Sequence, residues 1–284
     1  MKIKANIQPG TNVLITGGSS GIGLALAENL VKRGCNVYLV ARRKELLEQR
    51  IMELKAYVQS VNQKIEGIQA DVADWQQVQS IADQLITADV IPDLIINSAG
   101  VVQPGYVHEL SIEQFHWMMD INYHGTVHVI KAFMPEMMRK RSGYIINISS
   151  GAGYFGVFGY TGYSGSKFAV RGFTDVLRWE MKPYNIGVAI VYPSDTETPQ
   201  LEYDNKYKPP ETRVISENAG TMTAEAVARD IIEAAERGKK VVVPGFVNQV
   251  LYFFSIHFGG KVLEWLADFA LSRAANGNKK KQSA

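Results

Sequence analysis

Short apolar runs alternate along this chain with longer segments in which apolar residues return every three or four positions. The runs at 12–16, 36–41, 64–69, 93–97, 143–148, 187–191 and 240–243 carry Val, Ile and Leu over four to six residues. That is the length and composition of strands buried on both faces. Helical spacing sets in near Gly21, Arg43, Asp74, Ser111, Tyr163 and Thr223. The alternation runs from Asn12 to Val243 without a linker, repeat or low-complexity stretch. It predicts an α/β fold over 1–245, a single doubly wound parallel sheet of about seven strands with helices on both faces.

Two stretches do not fit a plain alternation. Residues 195–220, containing Pro199, Pro209 and Pro210, are far longer than an ordinary strand-to-helix connection of ~2–6 residues. They emerge where a doubly wound sheet binds its ligands, so they predict a mobile lid, with Leu201, Tyr203 and Tyr207 offering apolar surface to a substrate. Residues 246–284 form an apolar C-terminal helical extension. Its first part, up to Phe258, falls short of the ~20 residues needed to span a bilayer and is broken by Asn248, Gln249 and His257. Lys261 to Arg273 resumes an amphipathic pattern through Val262, Leu263, Leu266, Phe269 and Ala270. Such helices either close a cleft or bury a subunit contact, or they lie on a membrane surface. The run Lys279-Lys-Lys281 is a solvated tail.

The candidate chemistry sits at the ends of the runs. Thr16-Gly-Gly-Ser-Ser-Gly-Ile-Gly23 lies between the first strand and the first helix. In that context Gly17, Gly21 and Gly23 let the backbone approach a pyrophosphate, which the positive end of the helix attracts. The second strand ends in Ala41-Arg42-Arg43, with no acid where a ribose 2′-hydroxyl would be bound. An arginine there accommodates a 2′-phosphate, so the cofactor predicted is NADPH. Tyr163 and Lys167 share one helix face at i and i+4, so a phenol and an ammonium stand one turn apart. A nearby cation favours the phenolate and lowers the phenol's pKa from ~10.

With these motifs in order, the chain resembles the short-chain dehydrogenases/reductases over about residues 8–245, which makes its sheet a Rossmann fold. The resemblance rests on the glycine loop, Asp71-Val72, Asn97-Ser-Ala-Gly100, Asn122, Ser150 and Tyr163-x-x-x-Lys167. It implies that Tyr163 exchanges the proton and that Lys167 tunes it and holds the nicotinamide ribose. Ser150 orients the substrate oxygen, and Asn122 anchors a water leading from Lys167 to solvent. Asp71 and Val72 meet the adenine, while Asn97, Ala99 and Gly100 line the cofactor cleft. Ser19, Ser20, Ile22, Pro193, Thr196 and Thr198 complete the cofactor contacts. Pro193-Ser194 replaces a frequent Pro-Gly, which puts the backbone path beside the nicotinamide in question.

Downstream, Gly156 to Tyr163, Lys167 to Gly172, Glu180 to Tyr184, Tyr192 to Pro199 and Lys208 to Glu217 resemble the 3-ketodihydrosphingosine reductases. This implies NADPH-dependent reduction of the 3-keto group of a long-chain sphingoid base, with reductases of other lipid or steroid ketones as the alternative. A non-catalytic NADP-binding scaffold is the alternative of another class, and the intact Ser150, Tyr163 and Lys167 argue against it. The partners implied are a long-chain lipid ketone, a possible peripheral membrane contact and a second copy of the chain, as a dimer or tetramer.

Composition narrows the rest. A net charge of +2 gives nothing that points to nucleic acid. Cys35 is the single cysteine, which excludes an internal disulfide and suits a reducing compartment. The N-terminus lacks the apolar core of a signal peptide. The expected location is therefore cytoplasmic or cytosol-facing, on the endoplasmic reticulum if the source is a eukaryote. His124 and His128 have helical ligand spacing, but without a further ligand they read as ordinary helix residues rather than a metal site.

Overall fold

The computed structural model describes residues 2–217, 220–258 and Asp268. The other residues of the amphipathic stretch 261–273 and the lysine run at 279–281 lie outside the described residues. Six of the apolar runs become β1 (Asn12–Thr16), β2 (Asn36–Ala41), β3 (Ile65–Gln69), β4 (Leu94–Asn97), β5 (Gly143–Ile148) and β6 (Ile186–Val191). Thr196–Glu197 (β7) and Met222–Thr223 (β8) pair with each other outside the main sheet. Val241–Val242 (β9) supplies the seventh strand of that sheet, whose order is β3-β2-β1-β4-β5-β6-β9 with every pairing parallel. The expected doubly wound sheet is present, with strand ends within about two residues of those read from the pattern.

Alternation within β1 shows how the layers are made. Val13 and Ile15 face one core with α1 (Gly21–Lys32), α2 (Lys44–Lys55) and α9 (Ala224–Glu236) through Leu26, Leu30, Leu47, Val227 and Ile231. Leu14 faces the other with α3 (Trp75–Thr87), α5 (Gly125–Lys140) and α6 (Thr161–Met181) through Val78, Ile81, Phe133 and Leu177. Neighbouring side chains on a strand point to opposite faces, so a run that is apolar throughout must be covered twice. The helix expected near Ser111 begins with a capping box as α4 (Ile112–Met119), passes through a π-helical turn at Asp120–His124 and continues as α5. π-Turns inside helices concentrate at functional sites, and this one contains Asn122.

The proline-rich stretch is folded, not a loop. Pro199 opens α7 (Pro199–Tyr207) behind the N-cap Thr198, whose side chain accepts from the N–H of Leu201. Pro210 opens α8 (Pro210–Glu217). Proline is well suited to the first helical position, where its missing N–H has no intrahelical partner to lose. Beyond β9, α10 (Phe246–His257) is tied by Asn248 to the carbonyl oxygen of Tyr192, just past the carboxyl end of β6. Among the described residues no helix is long and apolar enough to cross a membrane.

Candidate active site

A cavity of about 1000 Å³ opens at the carboxyl ends of the strands, astride β1 and β4, where the strand order reverses. Ligands bind at such switch points in open α/β sheets. Arg42, Arg43 and Asp71 line it at one end, and Tyr163, Leu201 and the α10 residues Val247 and Leu251 line it at the other.

The glycine loop forms the floor between them. Gly17 has φ +68°, and a Cβ there would sit 2.8 Å from the backbone of Ala99. At Gly23 a Cβ would lie 2.5 Å from the carbonyl oxygen of Gly17. Only glycine fits either place, and Gly23 acts by packing under the turn, without lining the cavity. α1 begins at Ser20 with no side-chain cap and no acid in its first turn. Uncapped N–H groups and the positive helix end favour an anion here. Ser19, Ser20, Gly21, Ile22, Val72, Ala99, Gly100, Pro193, Thr196 and Thr198 all border the cavity. Ser194 does so too, and it is not among the positive-φ residues, so serine fits this path without strain.

Asn97 does not reach the cavity. Its Nδ2 donates to Asn147 Oδ1 at 2.9 Å, and Asn147 Nδ2 donates to Thr174 Oγ1 at 2.9 Å, a buried chain tying β4 and β5 to α6. Asn97 thus fixes the sheet under the cleft. Arg42 stands at the rim, half-exposed, with Asp71 Oδ2 3.7 Å away.

At the other end, Ser150 caps a single 3-10 turn at Gly151–Gly153 by accepting from the N–H of Ala152 at 3.2 Å. Its neighbour Ser149 donates to the carbonyl oxygen of Lys167 at 3.1 Å and is buried, which leaves Ser150 as the serine beside the phenol. Burial pushes the Tyr163 hydroxyl well above the usual phenol range, against the favourable hydrogen bonding of Ser150 and Gln200, and the charges of Asp204 and Asp195 push the same way as burial. The expected downward shift from Lys167 is not what the site shows, because burial outweighs it. Lys167 is itself desolvated, its pKa lowered to about 8. Asn122 is fully engaged by its side chain: Oδ1 accepts from Val101 N at 2.8 Å, and Nδ2 donates to Val101 O and Ser166 Oγ at 2.9 Å each. It clamps the 100–101 segment against α6. Its carbonyl oxygen already accepts from Thr126 Oγ1 at 2.9 Å.

Of the three substrate residues expected on the lid, Leu201 lines the cavity, whereas Tyr203 and Tyr207 do not. α7 turns Gln200, Leu201 and Asp204 inward, and residues at 203 and 207 share the outer face. There the Tyr203 hydroxyl donates to Gln103 Oε1 at 2.6 Å and its ring lies 4.8 Å from that of Tyr207.

Two groups were not singled out from the sequence. Asn248 is a buried polar residue in an apolar helix: Tyr154 donates to its Oδ1 at 2.7 Å, and its Nδ2 donates to Tyr192 O at 2.6 Å. The second is a buried network in which Lys208 Nζ contacts Asp195 and Asp204 at 3.0 Å each and Tyr160 donates to Asp204 Oδ2 at 2.7 Å. The i, i+4 spacing of Asp204 and Lys208 was visible, but the prolines hid the helix that gives it meaning. His124 pairs with Asp120 at 2.9 Å, and His128 Nδ1 lies 2.9 Å from the carbonyl oxygen of Val72.

The family model described as short chain dehydrogenase matches residues 11–208. The chain is 41% identical over 230 residues to the 3-dehydrosphinganine reductase of Danio rerio, covering 81% of this chain and 69% of that one. To the 3-ketodihydrosphingosine reductase of Mus musculus it is 40% identical over 231 residues, covering 81% and 70%. Among solved structures, a short-chain dehydrogenase from Streptomyces avermitilis superposes with a TM-score of 0.76 at 27% identity, covering 94% of this chain and 98% of that one. A Burkholderia phymatum short chain dehydrogenase/reductase in complex with NAD shares the fold, with a TM-score of 0.78 at 23% identity over 91% and 96% of the two chains. The match across most of the chain and the glycine loop, serine, tyrosine and lysine gathered at one cavity agree: this chain belongs to the short-chain dehydrogenase/reductase family.

Proposed function

We propose that this chain uses NADPH to reduce the 3-keto group of 3-ketodihydrosphingosine, giving dihydrosphingosine. The carrying observation is the convergence of Ser150, Tyr163 and Lys167 at one end of a cavity whose far end is basic. The identities of 40–41% to reductases named for that substrate supply the substrate class.

The residues present fit the cofactor. The glycine loop leaves no room for side chains under the pyrophosphate, the α1 N-terminus is uncapped, and Arg42 and Arg43 stand where a 2′-phosphate would be held. The bound nicotinamide would supply the hydride. Tyr163, kept protonated at neutral pH by burial, gives its proton to the substrate oxygen as that oxygen gains charge. Ser150 donates a hydrogen bond to the same oxygen and fixes its position. Lys167, on the face next to Tyr163, holds the ribose hydroxyls, and Asn122 keeps the 100–101 wall in place beside it.

The 195–217 segment acts as the lid, α7 contributing Leu201 to the alkyl path, and α10 closes the far wall through Val247 and Leu251. The exposed Phe246, Phe253 and Phe258 of that region would seat on a lipid surface, giving a peripheral, cytosol-facing enzyme. The exposed Phe168, Val176 and Trp179 on α6 would face a second copy in a dimer or tetramer. The test is a turnover panel with NADPH, setting 3-ketosphinganine against steroid and acyl ketones. Highest kcat/KM for the sphingoid ketone is expected. Preference for another ketone would change the substrate, and absence of turnover across the panel would make the chain a binding scaffold.

A further inference from the structure

Asp204 is 5% exposed, borders the cavity and leaves Oδ1 without a hydrogen-bond partner among the described residues. A buried, unpartnered carboxylate oxygen is costly, since its water is lost and nothing replaces it. Its other oxygen is committed to Tyr160 and Lys208, at 2.7 and 3.0 Å. Asp195 also borders the cavity and shares Lys208 at 3.0 Å. Two carboxylates against one ammonium leave this corner with one formal negative charge. The cavity's arginines, Arg42 and Arg43, are at its opposite end, and Lys167 directs its ammonium to the carbonyl oxygen of Ile148 at 3.1 Å. The corner is adjacent to the chemistry, because the ring of Tyr160 lies 5.7 Å from that of Tyr163 and its hydroxyl reaches Asp204.

We propose that Asp204, supported by Asp195, is the docking site for a cationic amine carried on the carbon next to the ketone. This rests on the reductase reading above and deepens it, since it assigns to Asp204 and Asp195 the recognition of the amine that the proposed substrate carries beside its ketone. An ammonium against Asp204 neutralises the corner and, once the carboxylate turns its covered Oδ1 toward the ligand, completes the missing hydrogen bond. It also places the carbonyl beside Ser150 and Tyr163, so one contact selects the substrate and sets its register. Burial raises the Asp204 carboxyl, and a bound cation opposes that rise.

The experiment is calorimetric binding of two product-like ligands to the full chain with NADP⁺ present: sphinganine and the matching long-chain 1,3-diol, which lacks only the nitrogen. The wild type should bind the amine roughly 10- to 100-fold more tightly, the worth of one charge-assisted hydrogen bond. Asp204→Asn should reduce that preference to within about threefold while diol and NADPH binding persist. If that variant does not fold, Asp195→Asn should reduce the preference partially. Equal binding of amine and diol by the wild type would overturn the proposal, and so would a folded Asp204→Asn that keeps the preference. Amine preference without turnover of either matching ketone would instead remove the reductase reading and leave the amine site standing.

Discussion

Lys167 holds its ammonium nitrogen 5.7 Å from the centre of the Tyr163 ring and donates to the carbonyl oxygen of Ile148 at 3.1 Å. The pair shares one helix face, but the cation is directed past the phenol toward β5. With both groups buried, each favours its neutral form: the phenol is pushed up and the ammonium down to about 8. The site is thus set with a protonated acid, as reduction requires.

Tyr163→Phe should therefore remove the proton donor and little else. The ring keeps its place against Tyr160, 5.7 Å away, so folding and NADPH affinity should be unchanged. General acid catalysis is worth ~10²–10⁴-fold, and kcat should fall by that factor. Single-turnover loss of NADPH absorbance checks it. A variant keeping more than about half of wild-type turnover would place the proton elsewhere.

The lysine shift makes a stability prediction for the cofactor-free chain. The folded pKa is about 8 against the ordinary lysine value of 10.5, so between these the unfolded chain binds more protons. Stability then rises with pH in this window, and the cost of burying the charge is fully present below it. From about pH 7 to about pH 9.5 the wild type should gain about 2 kcal/mol relative to Lys167→Met, which has no proton to bind. Urea unfolding of both proteins at the two pH values measures the difference. A constant gap would mean that Lys167 titrates normally.

The strands and the cofactor loop were legible because their signals are local. β1, the glycine turn and α1 are contiguous, and each residue's role follows from its neighbours in sequence. Asn97 was legible in position but not in role, since its partner Asn147 lies fifty residues away. The lid segment was legible in place but not in form, because proline reads as a breaker until a cap such as Thr198 is recognised before it. With α7 unseen, the inward face of Leu201 and Asp204 could not be told from the outward face of Tyr203 and Tyr207. Asn248 read as a break in an apolar run, whereas its partners Tyr154 and Tyr192 make it the tether of that run.

Arg42 tests cofactor choice. Its guanidinium is half-exposed and only loosely paired with Asp71 at 3.7 Å, so it can turn to a 2′-phosphate without breaking a strong contact. Arg42→Ala should weaken NADPH by roughly 10- to 100-fold, the worth of a charge-assisted hydrogen bond. NADH, which lacks the phosphate, should change by less than about threefold. Fluorescence titration with each cofactor separates the two, and equal losses would remove Arg42 from this role.

Asn248 tests whether α10 belongs to the catalytic unit. Its side chain joins the helix to Tyr154 and to the carbonyl oxygen of Tyr192, both buried, while much of the outer face of α10 is apolar and exposed. Asn248→Ala would leave the Tyr154 hydroxyl and that carbonyl without partners, at ~1–3 kcal/mol for each unsatisfied group. The helix would keep the packing of Tyr252 on Tyr154 and Tyr192 and the hydrogen bond from Ser255 to Tyr154 O, but without its buried tether it should open locally, ahead of global unfolding. Amide exchange should accelerate across 246–257 and stay unchanged in β1 and β5. Because Val247 and Leu251 of the same helix line the cavity, the KM for a long-chain ketone should rise several-fold. A short-chain ketone, reaching only Ser150 and Tyr163, should be turned over as before. Val250→Ala, exposed on the same helix and outside the cavity lining, is the control and should alter neither measurement. Equal effects on long and short ketones would show that Asn248 supports the core beneath the site and that α10 takes no part in holding the alkyl chain.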